Sequence, residues 1–210
     1  MNQILSTKID NNRNLKRKWF KLQLYISLFI MGIIIFIIFF YIINLSKNEQ
    51  LSNSLIENYN IYKLYSSDSN YTNFQESNIN SLNTIFGIIE IPKIEVYYPI
   101  FSHLNEELLK ISPCKFFGDS LDKNGNICIA GHNYDNSMFF SKISDLNIGD
   151  EIFIFSNNGK QYIYKVTDIY EVNSSDLSPI FDYSEFEKTL TLVTCNNITS
   201  NRIILRAIQY

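Results

Sequence analysis

Apolar residues follow three different rhythms along the chain, and each rhythm predicts a different kind of structure. From residue 24 to residue 43 they are nearly continuous, interrupted only by Ser27 and Gly32. About 20 helical residues rising roughly 1.5 Å each cover the ~30 Å hydrocarbon layer, so residues 24–45 are expected to form a transmembrane anchor. Residues 46–84 are rich in Asn, Ser, Tyr and Glu and contain neither Gly nor Pro. Within them Leu51, Leu55, Ile56, Tyr59, Tyr62 and Lys63 fall near helical spacing, which predicts a juxtamembrane helix. The polar run Ser66-Ser67-Asp68-Ser69-Asn70-Tyr71-Thr72-Asn73 then reads as a tether.

From residue 85 to residue 210 the pattern changes to short β-type runs separated by turn signals. Gly87-Ile88-Ile89-Glu90-Ile91 is followed by Pro92, as expected of an edge strand. Further strands are expected at 96–100, 127–130, 151–156, 161–172, 189–195 and 202–209, with Asn157-Asn158-Gly159-Lys160 as a hairpin turn. Short helices are expected at 105–111 and 137–146. Many short strands at close spacing predict a mainly β domain, a barrel or sandwich with helical decoration.

Charge sets the topology of the anchor. Lys8, Arg13, Lys16, Arg17, Lys18 and Lys21 face the single acid Asp10 on the N-terminal flank, while the other flank begins Ser46-Lys47-Asn48-Glu49. The positive-inside rule places residues 1–23 in the cytoplasm as a basic N-terminus, and residues 46–84 and 85–210 outside the cell. A cleaved signal peptide is disfavoured, since the apolar run is too long and Tyr41-Ile42-Ile43-Asn44-Leu45 offers no small-residue cleavage site. With a net charge of −3 and basic residues explained by the membrane, no nucleic-acid partner is expected.

The remaining chemistry concentrates at strand ends. Thr191-Leu192-Val193-Thr194-Cys195 closes one strand with a thiol, and Arg202 opens the next after the polar turn Asn196-Asn197-Ile198-Thr199-Ser200-Asn201. His132 follows Gly131 at the end of Ile127-Cys128-Ile129-Ala130. Period-2 alternation puts Cys128, Ala130 and His132 on one face, and Thr191, Val193 and Cys195 on one face, so shared use of those faces would bring His132 to Cys195. Arg206 is the rival to Arg202 on the same face, but at roughly 3.3 Å per residue it lies about 13 Å farther from the hairpin end. A thiol becomes a strong nucleophile as its thiolate, which a neighbouring cation favours. Arg202 could also stabilise an oxyanion, and His132 could shuttle the proton.

Other uses of these residues compete with this one. An odd cysteine count leaves at least one thiol unpaired within the chain; Cys114 and Cys128 either form a disulfide or are small buried hydrophobes, with the second favoured. A zinc site made of Cys114, Cys128, His132 and Cys195 is disfavoured by the lack of closely paired cysteines. His103 is the other histidine, in the more ordinary context Phe101-Ser102-His103-Leu104. A papain-like hydrolase would carry its cysteine upstream of its histidine, the reverse of the order here, and a non-catalytic surface binding domain would leave Cys195 inert.

These motifs resemble those of sortases, the membrane-anchored cysteine transpeptidases of Gram-positive bacteria. Thr191-Leu192-Val193-Thr194-Cys195 is similar to their Thr-Leu-x-Thr-Cys signature, Ala130-Gly131-His132-Asn133 to their histidine motif, and Arg202 to their arginine. The likeness extends to residues 87–94 and to Leu146-Asn147-Ile148-Gly149-Asp150-Glu151. It implies a closed eight-stranded β-barrel over residues 85–210, with His132, Cys195 and Arg202 catalytic and Ala130 and Thr194 contributing to the substrate groove. It implies cleavage of a Leu-Pro-x-Thr-Gly-like sorting signal on surface proteins and acyl transfer to a peptidoglycan or protein amine. Without an evident aromatic-acid lid in residues 66–84 or a second apolar span after the last strand, a class D-like or housekeeping-like member is favoured over a pilin polymerase. No cofactor is expected; some sortases respond to calcium through acidic loops, and no acidic cluster in this sequence commits it to that.

Overall fold

The computed structural model describes residues 2–66, 85–134, 138–184 and 186–210. Most of the predicted tether, the search region for a lid and the start of the predicted helix at Ser137 therefore lie outside the described residues. The chain divides into two compact units, one ending at Lys47 and one running from Asn48 to Tyr210.

Helix α1 (Asn2–Ser66) carries the apolar run of the first unit. Its segment Trp19–Glu57 is long and apolar enough to cross a membrane, and side chains such as Phe29, Ile35, Phe36 and Phe39 are exposed. Aliphatic and aromatic residues on every side of a helix make sense only in an apolar solvent.

The second unit is a closed barrel of eight strands: β1 (Ile85–Ile91), β2 (Val96–Phe101), β3 (Cys114–Phe117), β4 (Gly125–Ala130), β5 (Glu151–Ser156), β6 (Gln161–Val172), β7 (Lys188–Cys195) and β8 (Arg202–Gln209). Their order around the barrel is β1-β2-β3-β4-β7-β8-β6-β5. β2 and β3 run parallel, as do β4 and β7; the other neighbours are antiparallel. Among the described residues two short helices decorate it, α2 (Glu106–Leu109) and α3 (Ser178–Phe181). Asn105 caps α2 by accepting a 2.8 Å hydrogen bond from the Leu108 N–H, which satisfies an otherwise orphaned helix donor.

Alternation explains the core. Ile127 and Ile129 of β4, Leu190 and Leu192 of β7, Leu205 and Ala207 of β8, and Ile152 and Ile154 of β5 turn into one buried cluster. A second cluster lies on Ile85, Ile88, Phe101 and Cys114, and Leu55 of α1 packs into it. Burying a leucine this completely contributes about 2 kcal/mol, so the turn of the predicted juxtamembrane helix that carries Leu55 belongs to the barrel's own packing.

Three expectations change. β1 is not an edge strand, because it pairs with both β2 and β5; Pro92 falls after the strand, in the 3-10 turn Pro92–Ile94, where its missing N–H interrupts no ladder. The helix expected up to residue 146 is reduced to the 3-10 turn Ile143–Asp145. β3 was not anticipated at all. In contrast, the Asn-Gly hairpin forms as expected, with Gly159 at φ 79° and the Ser156 N–H donating to the Lys160 carbonyl at 2.9 Å.

Candidate active site

Because the odd and even positions of β4, β7 and β8 alternate between barrel interior and exterior, their outward residues form a continuous strip. Parallel pairing sets Cys128 opposite Thr191 and Ala130 opposite Val193. Antiparallel pairing sets Arg202 opposite Cys195, Ile204 opposite Val193 and Arg206 opposite Thr191. The strip has an apolar floor, Ala130, Val193 and Ile204, and at its end His132, Cys195 and Arg202, all lining one cavity of about 560 Å³. The predicted parity is therefore the observed one, and the face concerned is the outside of the barrel.

Arg202 meets the thiol directly. Its Nη1 donates to Cys195 Sγ at 2.5 Å, a contact that the register makes nearly inevitable once the connecting turn closes. That turn is tied down by its own side chains. Asn196 Oδ1 accepts from the Ile198 and Thr199 N–H groups, and Glu171 of β6 accepts from Asn196 Nδ2 at 3.0 Å and from the Thr199 hydroxyl. These hydrogen bonds hold the Glu171 carboxyl below its ordinary pKa, so it stays an acceptor at neutral pH. Arg206 is engaged elsewhere, with Nη1 3.0 Å from Asp182 Oδ2.

The segment carrying His132 is fastened to the end of β7 by successive hydrogen bonds. The Gly131 N–H donates to the Val193 carbonyl at 3.1 Å, the Thr194 hydroxyl to the Gly131 carbonyl at 2.7 Å, and Asn133 Nδ2 to the Cys195 carbonyl at 2.7 Å. Asn197 Nδ2 returns to the Asn133 carbonyl at 3.0 Å. Gly131 is required by close packing: a Cβ there would stand 2.6 Å from the Phe140 ring. The His132 ring stacks at a tilt on Tyr134, centroids 4.8 Å apart. Burial, and secondarily the charge of Lys110, lowers the His132 pKa below its ordinary value. The imidazole is thus neutral at neutral pH, and Arg202 is the permanent cation beside the sulfur.

The weaker groove residues separate. Ala130 forms part of the floor. Thr194 also borders the cavity, but its hydroxyl is buried and committed to Gly131, which makes it a brace for the His132 segment. Asn133 and Asn197 received no role from the sequence. An amide immediately after the histidine, facing the polar turn after the cysteine, was the available signal, but their bonding depends on the β4–β7 register.

Cys114 and Cys128 are free and fully buried. β3–β4 register sets Cys114 opposite Ala130 and Cys128 opposite Phe117, so the two are not cross-strand partners. Burial pushes the Cys114 thiol up to about 11 and the Cys128 thiol up to about 12, leaving Cys195 as the partly accessible cysteine.

The chain is similar to known proteins in sequence and in fold. The chain is 29% identical over 118 residues to Sortase A of Bacillus anthracis, which covers 56% of this chain and 55% of that relative. It thus spans little more than half the length of the relative. A Clostridium perfringens Sortase D5 transpeptidase is 30% identical with a TM-score of 0.55, covering 66% of this chain and 90% of that one. A Clostridium perfringens sortase C, solved with the C-terminal cell wall sorting motif, is 25% identical with a TM-score of 0.55, covering 75% of this chain and 88% of that one. The Sortase domain family matches residues 89–209, more than half of the sequence and nearly the whole barrel; the chain belongs to the sortase family.

Proposed function

We propose that this protein is a cysteine transpeptidase that cleaves a Leu-Pro-x-Thr-Gly-like sorting signal and passes the acyl part to an amine of peptidoglycan or of another protein. The contact between Arg202 Nη1 and Cys195 Sγ, within the cavity that also receives His132, carries this proposal. The sorting motif accompanying the related sortase C supports the substrate class for that relative, and by extension here.

The thiolate of Cys195 attacks the threonine carbonyl carbon, and the developing oxyanion is stabilised by a guanidinium that cannot lose its proton. The Thr–Gly bond breaks as His132, protonated by the thiol's proton, donates it to the leaving amine. A thioester remains on Cys195. The acceptor amine then attacks the thioester carbonyl, His132 takes the amine proton, and the sulfur leaves to be reprotonated.

The site suits transfer to an amine because Ala130, Val193 and Ile204 give the cavity an apolar floor, which disfavours water near the thioester. The basic residues before the apolar run orient the anchor with its N-terminus in the cytoplasm and the barrel outside. Single-pass anchoring at the cell membrane would hold the barrel where exported substrates emerge. One candidate span among the described residues, and a sequence over residues 66–84 without an evident aromatic-acid lid motif, fit a class D-like or housekeeping-like anchoring enzyme.

Full-length protein in detergent, incubated with a panel of sorting-signal peptides with and without an amine acceptor, tests the proposal. Cleavage that shifts to peptide–amine product when acceptor is added is the expected result. Absence of both products for every peptide, or equal turnover by Cys195→Ala, would overturn it.

A further inference from the structure

Below the apolar floor the outward strip of β4, β7 and β8 carries polar side chains that are buried at Asn126 and Thr191. Asn126 is only 2% exposed and Thr191 is not exposed at all. The Thr191 hydroxyl donates to Asn126 Oδ1 at 2.8 Å, which fixes the amide so that its Nδ2 points outward. That nitrogen donates to the Ile180 carbonyl at 3.1 Å and reaches the Pro179 carbonyl at 3.3 Å. From β8, Arg206 Nη2 approaches the same Pro179 carbonyl at 3.4 Å, while Nη1 pairs with Asp182.

All of these bonds converge on α3 and the residue after it. Helix α3 has only four residues, too few to hold a helix by its own hydrogen bonds. Yet Leu177, Pro179 and Ile180 line the same cavity as His132 and Cys195. The side chains that border the cavity are thus carried by a segment whose carbonyls are held from beneath by buried groups of the barrel wall. A buried polar pair is destabilising unless it is bonded, and here it is bonded to this one segment. Asp182 is largely exposed, so the ion pair contributes little by itself and Asn126 is the principal anchor.

We propose that Asn126, oriented by Thr191 and assisted by Arg206, is a positioning residue that sets the α3 wall of the peptide groove and thereby the affinity for the substrate. It touches neither the thiol nor the imidazole. Its effect is therefore on binding, separate from the chemistry at Cys195. The kinetic part rests on the transpeptidase function proposed above, while the positional part does not.

The test uses full-length protein in detergent and compares the parent with Asn126→Leu, Asn126→Asp, Thr191→Ser, Thr191→Val and Arg206→Gln. Asn126→Leu removes both donors at similar volume. Asn126→Asp keeps the shape but presents a carboxylate to two carbonyl oxygens. With a cleavable sorting-signal peptide, both Asn126 variants should raise KM about tenfold with kcat within about twofold, the scale expected for losing two hydrogen bonds to a binding wall. Thr191→Ser, which keeps the hydroxyl, should behave as the parent, and Thr191→Val and Arg206→Gln should move KM in the same direction by less.

Hydrogen exchange at the amides of residues 177–183 should accelerate in Asn126→Leu while the β7 and β8 amides stay protected. A loss confined to kcat, an unchanged KM, or unchanged exchange across α3 would overturn the proposal. If the Asn126 variants fail to fold, the Thr191→Ser, Thr191→Val and Arg206→Gln series decides it by the same two readouts. If the parent turns over no peptide, the transpeptidase function fails, and exchange at α3 still decides whether the anchor exists.

Discussion

Replacing Gly131 with alanine would place a methyl group 2.6 Å from Phe140 Cδ2 and 2.8 Å from its Cγ, where ordinary contact needs 3.4–4 Å. Something must move by roughly 1 Å. Phe140 cannot yield easily, because it is fully buried in the barrel cluster and its N–H donates to the His132 carbonyl at 3.1 Å. The backbone of the His132 segment is the softer side, although Gly131 is bonded to Val193 and Thr194. Overpacking of this kind costs about 1–3 kcal/mol, and a 1 Å misplacement of a reacting group costs on the order of 100-fold in rate.

Gly131→Ala should therefore lower the melting temperature by several degrees, taking about 4–8 °C per kcal/mol for a domain of this size class as an upper range. It should reduce kcat for peptide cleavage by roughly 100-fold. Alkylation of Cys195 by iodoacetamide should fall much less, since Arg202 stays on the sulfur. A variant with parental melting temperature and kcat within about twofold of the parent would refute the claim that His132 is held by this packing.

Other perturbations read out separate parts of the site. Arg202→Ala should lower kcat by about 100–1,000-fold, the range for loss of an oxyanion donor, whereas retention of more than half the activity would remove Arg202 from the chemistry. His132 should titrate below the ordinary histidine value of about 6.5 in an NMR titration, and Lys110→Gln should raise it only in part, because burial is the larger cause. The sign follows: with the folded pKa depressed, the unfolded chain takes up protons first, so the His132 contribution to stability is complete above about 6.5 and is lost as pH falls through the folded value. Denaturation midpoints that rise on acidification over this range in the parent, but not in His132→Ala, would contradict it. In the native protein a thiol reagent should label Cys195 alone, and Cys114 and Cys128 only after denaturation, as mass spectrometry of the digested chain would show.

The legible parts of this fold are those decided by local pattern. β7 and β8 are compact β-type runs joined by a short polar turn, so the sequence placed Cys195 and Arg202 at facing ends, and the Asn-Gly turn between β5 and β6 carries its own geometry. β3 escaped because Cys-Lys-Phe-Phe has no alternation and, among the described residues, contributes only Cys114, to the second buried cluster. Its pairing with β2 is a parallel contact at Phe101 and Cys114, which only the closed barrel supplies. The proline after β1 suggested an edge because local sequence does not reveal that both sides of the strand are paired. At the site, residue types singled out His132, Cys195 and Arg202, which the fold brings to one cavity, but the bracing by Thr194, Asn133 and Asn197 depends on the β4–β7 register. The Asn126 anchor was invisible for the same reason: an asparagine at the start of a strand looks like turn chemistry until α3 is seen across from it.

The account depends above all on covalent chemistry at Cys195, and intact-protein mass spectrometry tests it. Full-length protein mixed with a sorting-signal peptide, quenched in acid before acceptor is added, should gain the mass of the peptide's N-terminal fragment through its threonine. The adduct should map to Cys195, vanish on hydroxylamine treatment and be absent from Cys195→Ala. Cleaved peptide with no adduct at any quench time, or an adduct on another residue, would contradict acyl transfer through this thiol.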